Sequence, residues 1–316
     1  MELLAIGETM VMVTPEPGGR LDAESRFRLH PGGAESNLAA HLARLGHHAA
    51  WAGAVGSEPL GDLVLTALRR AGVDLSPTTR DPARPTGVYF KDPREESTNV
   101  YYYRRDSAAA AMDPERLASW TRHRPSIVHV TGITPALSPG CRSLVDAIVH
   151  ERAFGESLVS FDVNHRPALW SGSAAPLLLE YARAADIVFV GRDEAERLWG
   201  TPDTDSIRDL IPAPVLVVKD GANEAVSFED EHRTAQPAAP VRVVDVVGAG
   251  DAFAAGWLSG YLNGQPAALR LRLGHYVAGR VIGSANDAAE LPNGSELAAR
   301  LATPPIRTGT RPRPRQ

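Results

Sequence analysis

The chain contains one cysteine and two lysines in 316 residues. A single thiol, Cys141, excludes an internal disulfide and any cysteine cluster around a metal. Lys91 and Lys219 are the only lysines, so arginine supplies nearly all of the positive charge, a bias of composition and not of function. No run of 18 apolar residues occurs, so no membrane span or membrane partner is expected. The start, Met-Glu-Leu-Leu-Ala-Ile-Gly, lacks the basic segment and apolar core of a signal peptide, which favours a cytoplasmic protein. A net charge of −5 without a dense basic stripe in the globular part argues against a nucleic-acid partner. Four motifs are also missing: Gly-x-x-x-x-Gly-Lys-[Ser/Thr], Gly-x-Gly-x-x-Gly after the first strand, Gly-x-Ser-x-Gly and His-Glu-x-x-His. Their absence excludes a P-loop, weakens a dinucleotide reading, and leaves no hydrolase elbow or zinc helix. His129, His165 and His275 lack ligand spacing and read as structural.

What is present is an α/β rhythm. With 43% hydrophobic residues, the chain suits one large α/β domain with a small appendage. Strands are expected at Leu3–Gly7, Ala49–Val55, Ile127–Thr131, Leu158–Val163, Ile187–Val190, Val215–Lys219, Asn223–Phe228 and Val241–Val244. Helices are expected at about 31–45, 59–71, 139–152, 175–185, 192–199, 249–263, 267–285 and 294–301. Alternation of this kind predicts a doubly wound, mostly parallel sheet with helices on both faces. The segments at about 11–30 and 86–106 break the rhythm and read as a small projecting β-sheet. The domain is placed at 1–301, and the Pro- and Arg-rich tail 302–316 is expected to be disordered.

Chemistry concentrates in Val243-Val-Asp-Val-Val-Gly-Ala-Gly-Asp-Ala-Phe. A β-branched run leads into Gly248-Ala249-Gly250, then Asp251, then a small-residue helix. That order presents backbone N–H groups at a helix start, where an anion is attracted, and fixes a carboxylate beside it. A helix cap is the plainer alternative for the turn by itself. A second Gly-rich helix start stands at Gly32-Gly33-Ala34-Glu35-Ser36-Asn37.

Gly32-Gly33-Ala34-x-x-Asn37-x-Ala39 and Asp245-x-x-Gly248-Ala249-Gly250-Asp251-Ala252-Phe253 together resemble the ribokinase-like (PfkB) carbohydrate kinases across residues 2–301. The resemblance implies the doubly wound α/β fold with a β-sheet lid, and ATP and Mg²⁺ as cofactors. It implies that Asp251 is the general base and that the amides of Gly248, Ala249 and Gly250 hold charge on the transferring phosphoryl group. Val246-Val247 replace the family's usual pair of threonines. Glu194 in Gly191-Arg-Asp-Glu resembles a glutamate that holds Mg²⁺ through water, although Gly191 replaces the motif's asparagine. Lys219-Asp-Gly221 resembles a nucleotide loop, with Asn164, Arg166, Gly248 and Gly250 on the same nucleotide side.

Within the family, Tyr101-Tyr102-Tyr103-Arg104-x-x-Ser107-Ala108 resembles the branch acting on 2-keto-3-deoxygluconate. Residues two apart in a strand share a face, so Tyr102 and Arg104 can point together into a site, away from Tyr101 and Tyr103. An arginine fork matches the carboxylate of an acidic sugar. Asp162-x-Asn164-x-Arg166 ends a strand, where ligands bind in α/β sheets. The resemblance adds Gly33, Asn37, Tyr89, Ile133, Arg166 and Asp251 as substrate contacts, while Glu8 reads as a strand-end carboxylate alone. Transfer to the C6 hydroxyl of a sugar acid is therefore expected, in a homo-oligomer joined through the lid. The alternatives are a kinase of fructose, ribose or a deoxy-keto gluconate isomer, or a non-catalytic sugar- or nucleotide-binding regulator.

Overall fold

The computed structural model describes residues 1–16, 19–94, 98–242, 247–283 and 292–302. The chain begins with β1 (Leu3–Ile6), β2 (Met10–Pro15), β3 (Phe27–Gly32), α1 (Ala34–Arg44), β4 (Ala49–Ala52) and β5 (Ala54–Gly56). It continues through α2 (Pro59–Arg70), β6 (Thr79–Asp81), β7 (Val88–Pro93), β8 (Thr98–Tyr103), the single turn α3 (Leu117–Trp120) and β9 (Ile127–Thr131). The regular half follows with α4 (Pro139–Val149), β10 (Leu158–Asp162), α5 (Ala175–Ala184), β11 (Ile187–Gly191), α6 (Arg192–Trp199) and α7 (Thr204–Leu210). It closes with β12 (Val215–Asp220), β13 (Glu224–Glu229), β14 (His232–Pro237), α8 (Ala249–Leu262), α9 (Ala267–Ile282) and α10 (Gly294–Ala302).

The main sheet runs β14-β13-β12-β11-β10-β9-β1-β4, parallel from β12 to β4 and antiparallel at β13 and β14. Its central strands are apolar on both faces because helices cover both. Leu4, Ile6, Val128, Val130, Phe161 and Val188 pack with α4 and α5 through Leu144, Ile148 and Leu178. Their neighbours Leu3, Ala5, Ile127, Ile187 and Phe189 turn to the other side, against Leu38 and Leu42 of α1 and Trp257 of α8. Period-two alternation thus makes two cores from one sheet. Helix α8 is apolar all round because it lies within the second core. A Cβ on Gly256 would come within 2.5 Å of the Leu273 carbonyl, so glycine there lets α9 approach closely.

A separate sheet, β3-β2-β7-β8, is formed by the two segments that broke the α/β rhythm. The α/β architecture with a large, mostly parallel sheet and a small second sheet is as expected. Several details differ, the single turn α3 among them. The single strand expected at 49–55 splits at Gly53, where a Cβ would lie 2.6 Å from the Gly7 carbonyl, and β5 pairs with β6 instead. The short α7 was not expected, although Asp203 caps it by accepting the Ser206 N–H at 2.8 Å. Among the described residues the last strand is β14, a polar edge strand, and Val241 and Arg242 belong to none. Val243–Val246, with Asp245 in the opening motif, lie outside the described residues. So do 284–285 of the expected helix and the tail beyond Ala302.

Candidate active site

Strand ends, two helix starts and the small sheet border one cleft of about 750 Å³. It lies at the C-terminal edge of the parallel strands, the place where open α/β sheets bind ligands. On one side stands the start of α8. Its N-cap, Gly248, has a left-handed backbone with φ 78°, which favours glycine. The first helical bond runs from the Ala252 N–H to the Gly248 carbonyl at 3.0 Å, so the N–H groups just before it have no partner within the helix. Gly248, Gly250 and Asp251 border the cleft, whereas Ala249 between them does not.

Asn37 Nδ2 donates to Asp251 Oδ2 at 3.0 Å, which brings the two Gly-rich helix starts together across 214 positions of sequence. Burial raises the Asp251 carboxyl to about 6, and the negative charge of Asp162 adds to the rise. Asn37, Arg166 and Lys219 oppose it. Lys219, from the end of β12, donates to Asp162 Oδ2 at 2.7 Å, and Asp162 Oδ1 is buried without a partner. Glu194 sits in the first turn of α6 and accepts N–H bonds from Gly191, at 3.1 Å, and from His165. Burial, then Asp162, raise its carboxyl above the usual range. Asn164 holds a left-handed backbone with φ 38°, and Arg166 follows it into the cleft. Gly221 turns the chain after β12 and borders the same region.

The other side is the small sheet. Strand register puts Tyr89 opposite Tyr102, with ring centres 5.6 Å apart. The Arg104 guanidinium lies 5.6 Å from the Tyr102 ring centre and is itself bound by Glu8. Glu8 also accepts the Ser107 hydroxyl at 3.0 Å, and burial raises its carboxyl despite Arg104. A Cβ on Gly32 would strike the Tyr89 hydroxyl at 2.3 Å, and one on Gly33 the Glu8 carbonyl at 2.2 Å. Glycine at both positions lets α1 start directly beneath the sheet. Ile133, after β9, completes this wall.

The pfkB family carbohydrate kinase pattern matches residues 1–293. The chain belongs to that family. This pfkB family member is 32% identical over 310 residues to the 2-dehydro-3-deoxygluconokinase of Bacillus subtilis, covering 96% of each chain. It is 30% identical over 262 residues to Fructokinase-1 of Oryza sativa, covering 79% of this chain and 80% of the relative. Among solved structures it is similar to an uncharacterized sugar kinase from Pyrococcus horikoshii in complex with ATP, with a TM-score of 0.81 and 25% identity. That match covers 94% of this chain and 99% of the other.

For a pfkB family kinase the two sides have matching chemistry: a carboxylate of raised pKa beside free amides, and a polar, aromatic wall that can hold a sugar. Every site residue named from the sequence borders the cleft except Ala249. Sequence reasoning missed others. Glu8, read as a lone strand-end carboxylate, binds Arg104. Arg192 borders the cleft and donates to Asp220 at 2.9 Å, and Glu35 and Lys91 also border it. The rarity of lysine was a usable signal, since both lysines border this one cleft.

Proposed function

We propose that this carbohydrate kinase is an ATP-dependent 2-keto-3-deoxygluconate kinase giving the 6-phosphate. The observation that carries this reading is a largely covered arginine, Arg104, with its side chain 11% exposed, in the same cleft as Asp251. A guanidinium fork pairs bidentately with a carboxylate, which a sugar acid carries and a neutral sugar lacks. The Bacillus relative supports the same substrate.

In this reading the sugar lies against Gly33, Asn37, Tyr89, Tyr102 and Ile133, with its carboxylate toward Arg104 or Arg166. Asp251 Oδ1 or Oδ2 takes the proton of the C6 hydroxyl, whose oxygen attacks the γ-phosphorus as the bond to ADP breaks. The amides of Gly248 and Gly250, which border the cleft, stabilise charge on the transferring group. Asn164, Arg166, Lys219 and Gly221 hold the nucleotide, in keeping with the ATP-bound archaeal structure. The donors present fit Mg²⁺, a hard cation that keeps most of its water: Asp162 offers a buried, unpartnered oxygen, and Glu194 lies near it. When bound, the ion neutralises phosphate charge. Closure of the small sheet as a lid excludes water from the transfer.

Phe27, Leu29, Tyr101 and Tyr103 are exposed on that sheet and support pairing of two copies through it, which sedimentation at two concentrations checks. The one thiol, Cys141, is free and buried, which suits a reducing cytoplasm. A second reading, a kinase of a neutral sugar such as fructose, is favoured by one observation: Glu8 already supplies a counter-charge to Arg104. ADP release measured across acidic and neutral sugars separates the two. The proposal expects kcat/KM for 2-keto-3-deoxygluconate to exceed that for fructose by about tenfold or more, a difference of ~1.4 kcal/mol. The reverse order assigns a neutral substrate.

A further inference from the structure

One buried carboxyl in the cleft has no part in the chemistry above. Glu35 lies in the first turn of α1, is 1% exposed, and borders the sugar side. Its Oε1 accepts the Thr131 hydroxyl at 2.7 Å and the Thr134 hydroxyl at 2.9 Å. Thr131 Oγ1 in turn accepts the Ile133 N–H at 3.1 Å. Two residues along α1 from Glu35 stands Asn37, which holds Asp251. We propose that Glu35 is a positioning residue that works as a neutral carboxylic acid, tying the helix of Gly33 and Asn37 to the turn of Ile133. This rests on the reading of the cleft as a sugar site.

Geometry supplies the reason. Both hydroxyl donors converge on Oε1, and Oε2 is buried without a partner. An ionised carboxylate with one unsolvated, unbonded oxygen is costly, whereas a protonated oxygen carries no charge to solvate. The space exists because residue 7 is glycine: a Cβ there would lie 2.2 Å from Glu35 Cδ. Among the groups packed around it, Asp251 of α8 acts on Glu35 with a like charge. From β9 come Thr131 and, further back, His129, which is bonded to Ser160 at 2.9 Å. Beyond Gly7 at the end of β1, Glu8 is engaged by Arg104 and Ser107. Burial raises the Glu35 carboxyl to about 7, with Asp251 adding to the rise, against the Thr131 and Thr134 hydroxyls and the backbone amide of Glu35 itself. A neutral Glu35 beside an ionised Asp251 avoids two adjacent anions at the sugar.

Glu35→Gln and Glu35→Ala test this with sugar kinetics and thermal melts from about pH 5 to pH 8. Glutamine can accept both hydroxyls and stay neutral, so kcat/KM should stay within about threefold of wild type near pH 6.5, a loss under ~0.7 kcal/mol. Alanine should raise the sugar KM about tenfold or more, with kcat and the ATP KM little changed. The acid is raised in the folded state, so wild type loses stability as pH climbs from the unfolded value toward 7, and glutamine does not. The melting-point advantage of Glu35→Gln should therefore widen by roughly 2 °C or more across the range. A constant difference between the melts overturns the neutral acid. Equal damage to sugar KM in both variants overturns the positioning role. If wild type phosphorylates no sugar, the functional reading fails, while the melts still decide the charge state of Glu35.

Discussion

The two sides of the cleft are built in different ways. On the side that the proposed function gives to phosphate, Gly248, Gly250 and Asp251 come from one turn of one helix, and their donors are backbone groups set by the cap geometry. On the side that it gives to the sugar, the wall is assembled from Glu8, the Gly32–Asn37 helix start, Tyr89, the Tyr102–Arg104 strand end and Ile133. A local turn constrains chemistry, because amide positions follow from φ and ψ alone. A wall joined from distant segments constrains substrate, because each contribution can change without unmaking the others. In the proposed function, reaction class and substrate choice would therefore be held by separable parts of the molecule.

Separability makes its strongest prediction at Asp251. If the phosphate side carries the chemistry, Asp251→Asn should lower kcat by about 10²–10⁴, the usual contribution of a general base, and leave sugar KM within a few-fold. Sugar binding by equilibrium titration distinguishes this loss from misfolding. The pH profile follows the same carboxyl. Asp251 must be ionised to take a proton, and burial lifts it to about 6. Activity should therefore fall as pH drops through about 6, approaching tenfold per unit below it. An acid limb centred near the ordinary carboxylate value would place the base elsewhere.

The next effect belongs to the other side. Arg104→Ala should raise the KM for acidic sugars by roughly 10–100-fold, as expected for a hydrogen-bonded charge pair of about 1.5–3 kcal/mol. Neutral sugars should change by less than about threefold. The variant also leaves Glu8 buried without its cation, so a thermal melt must accompany the kinetics. Equal loss on acidic and neutral sugars would break the division between the two sides, since Arg104 would then serve the structure and not the substrate.

The same contrast explains what could be read from the sequence. The two-faced parallel sheet was legible because β9 to β12 are short apolar runs spaced by helices with one buried stripe. The Gly-Ala-Gly-Asp turn was legible because its chemistry is contiguous. Strand β14 was not, since an edge strand with polar residues gives little hydrophobic signal. Helix α7 was missed because its seven residues are too few for periodicity to speak, although its cap was visible. The Glu8–Arg104 pair spans 96 positions, and no local pattern announces such a contact. Glu35 was hidden for a further reason. A glutamate in a helix's first turn usually reads as a favourable surface charge, and only the fold shows it buried beneath Gly7.

The finest division lies within one strand. Tyr102 faces the cleft, between the Tyr89 ring and the Arg104 guanidinium. Tyr103, one residue on, is 67% exposed and meets Phe90 edge-on at 5.7 Å. Successive residues of a strand point to opposite faces, so adjacent tyrosines should differ in function. Tyr102→Ala should raise sugar KM by about two- to fivefold, the value of a partly exposed cation–π contact of ~0.5–1 kcal/mol. Tyr103→Ala should leave sugar KM within about twofold and cost only ~0.5–1.5 kcal/mol of stability through the lost ring pair. A KM change at Tyr103 as large as that at Tyr102 would mean that the outer face of the sheet communicates with the sugar. Loss of that change on dilution would trace it to pairing of two copies, because only a contact between molecules depends on concentration.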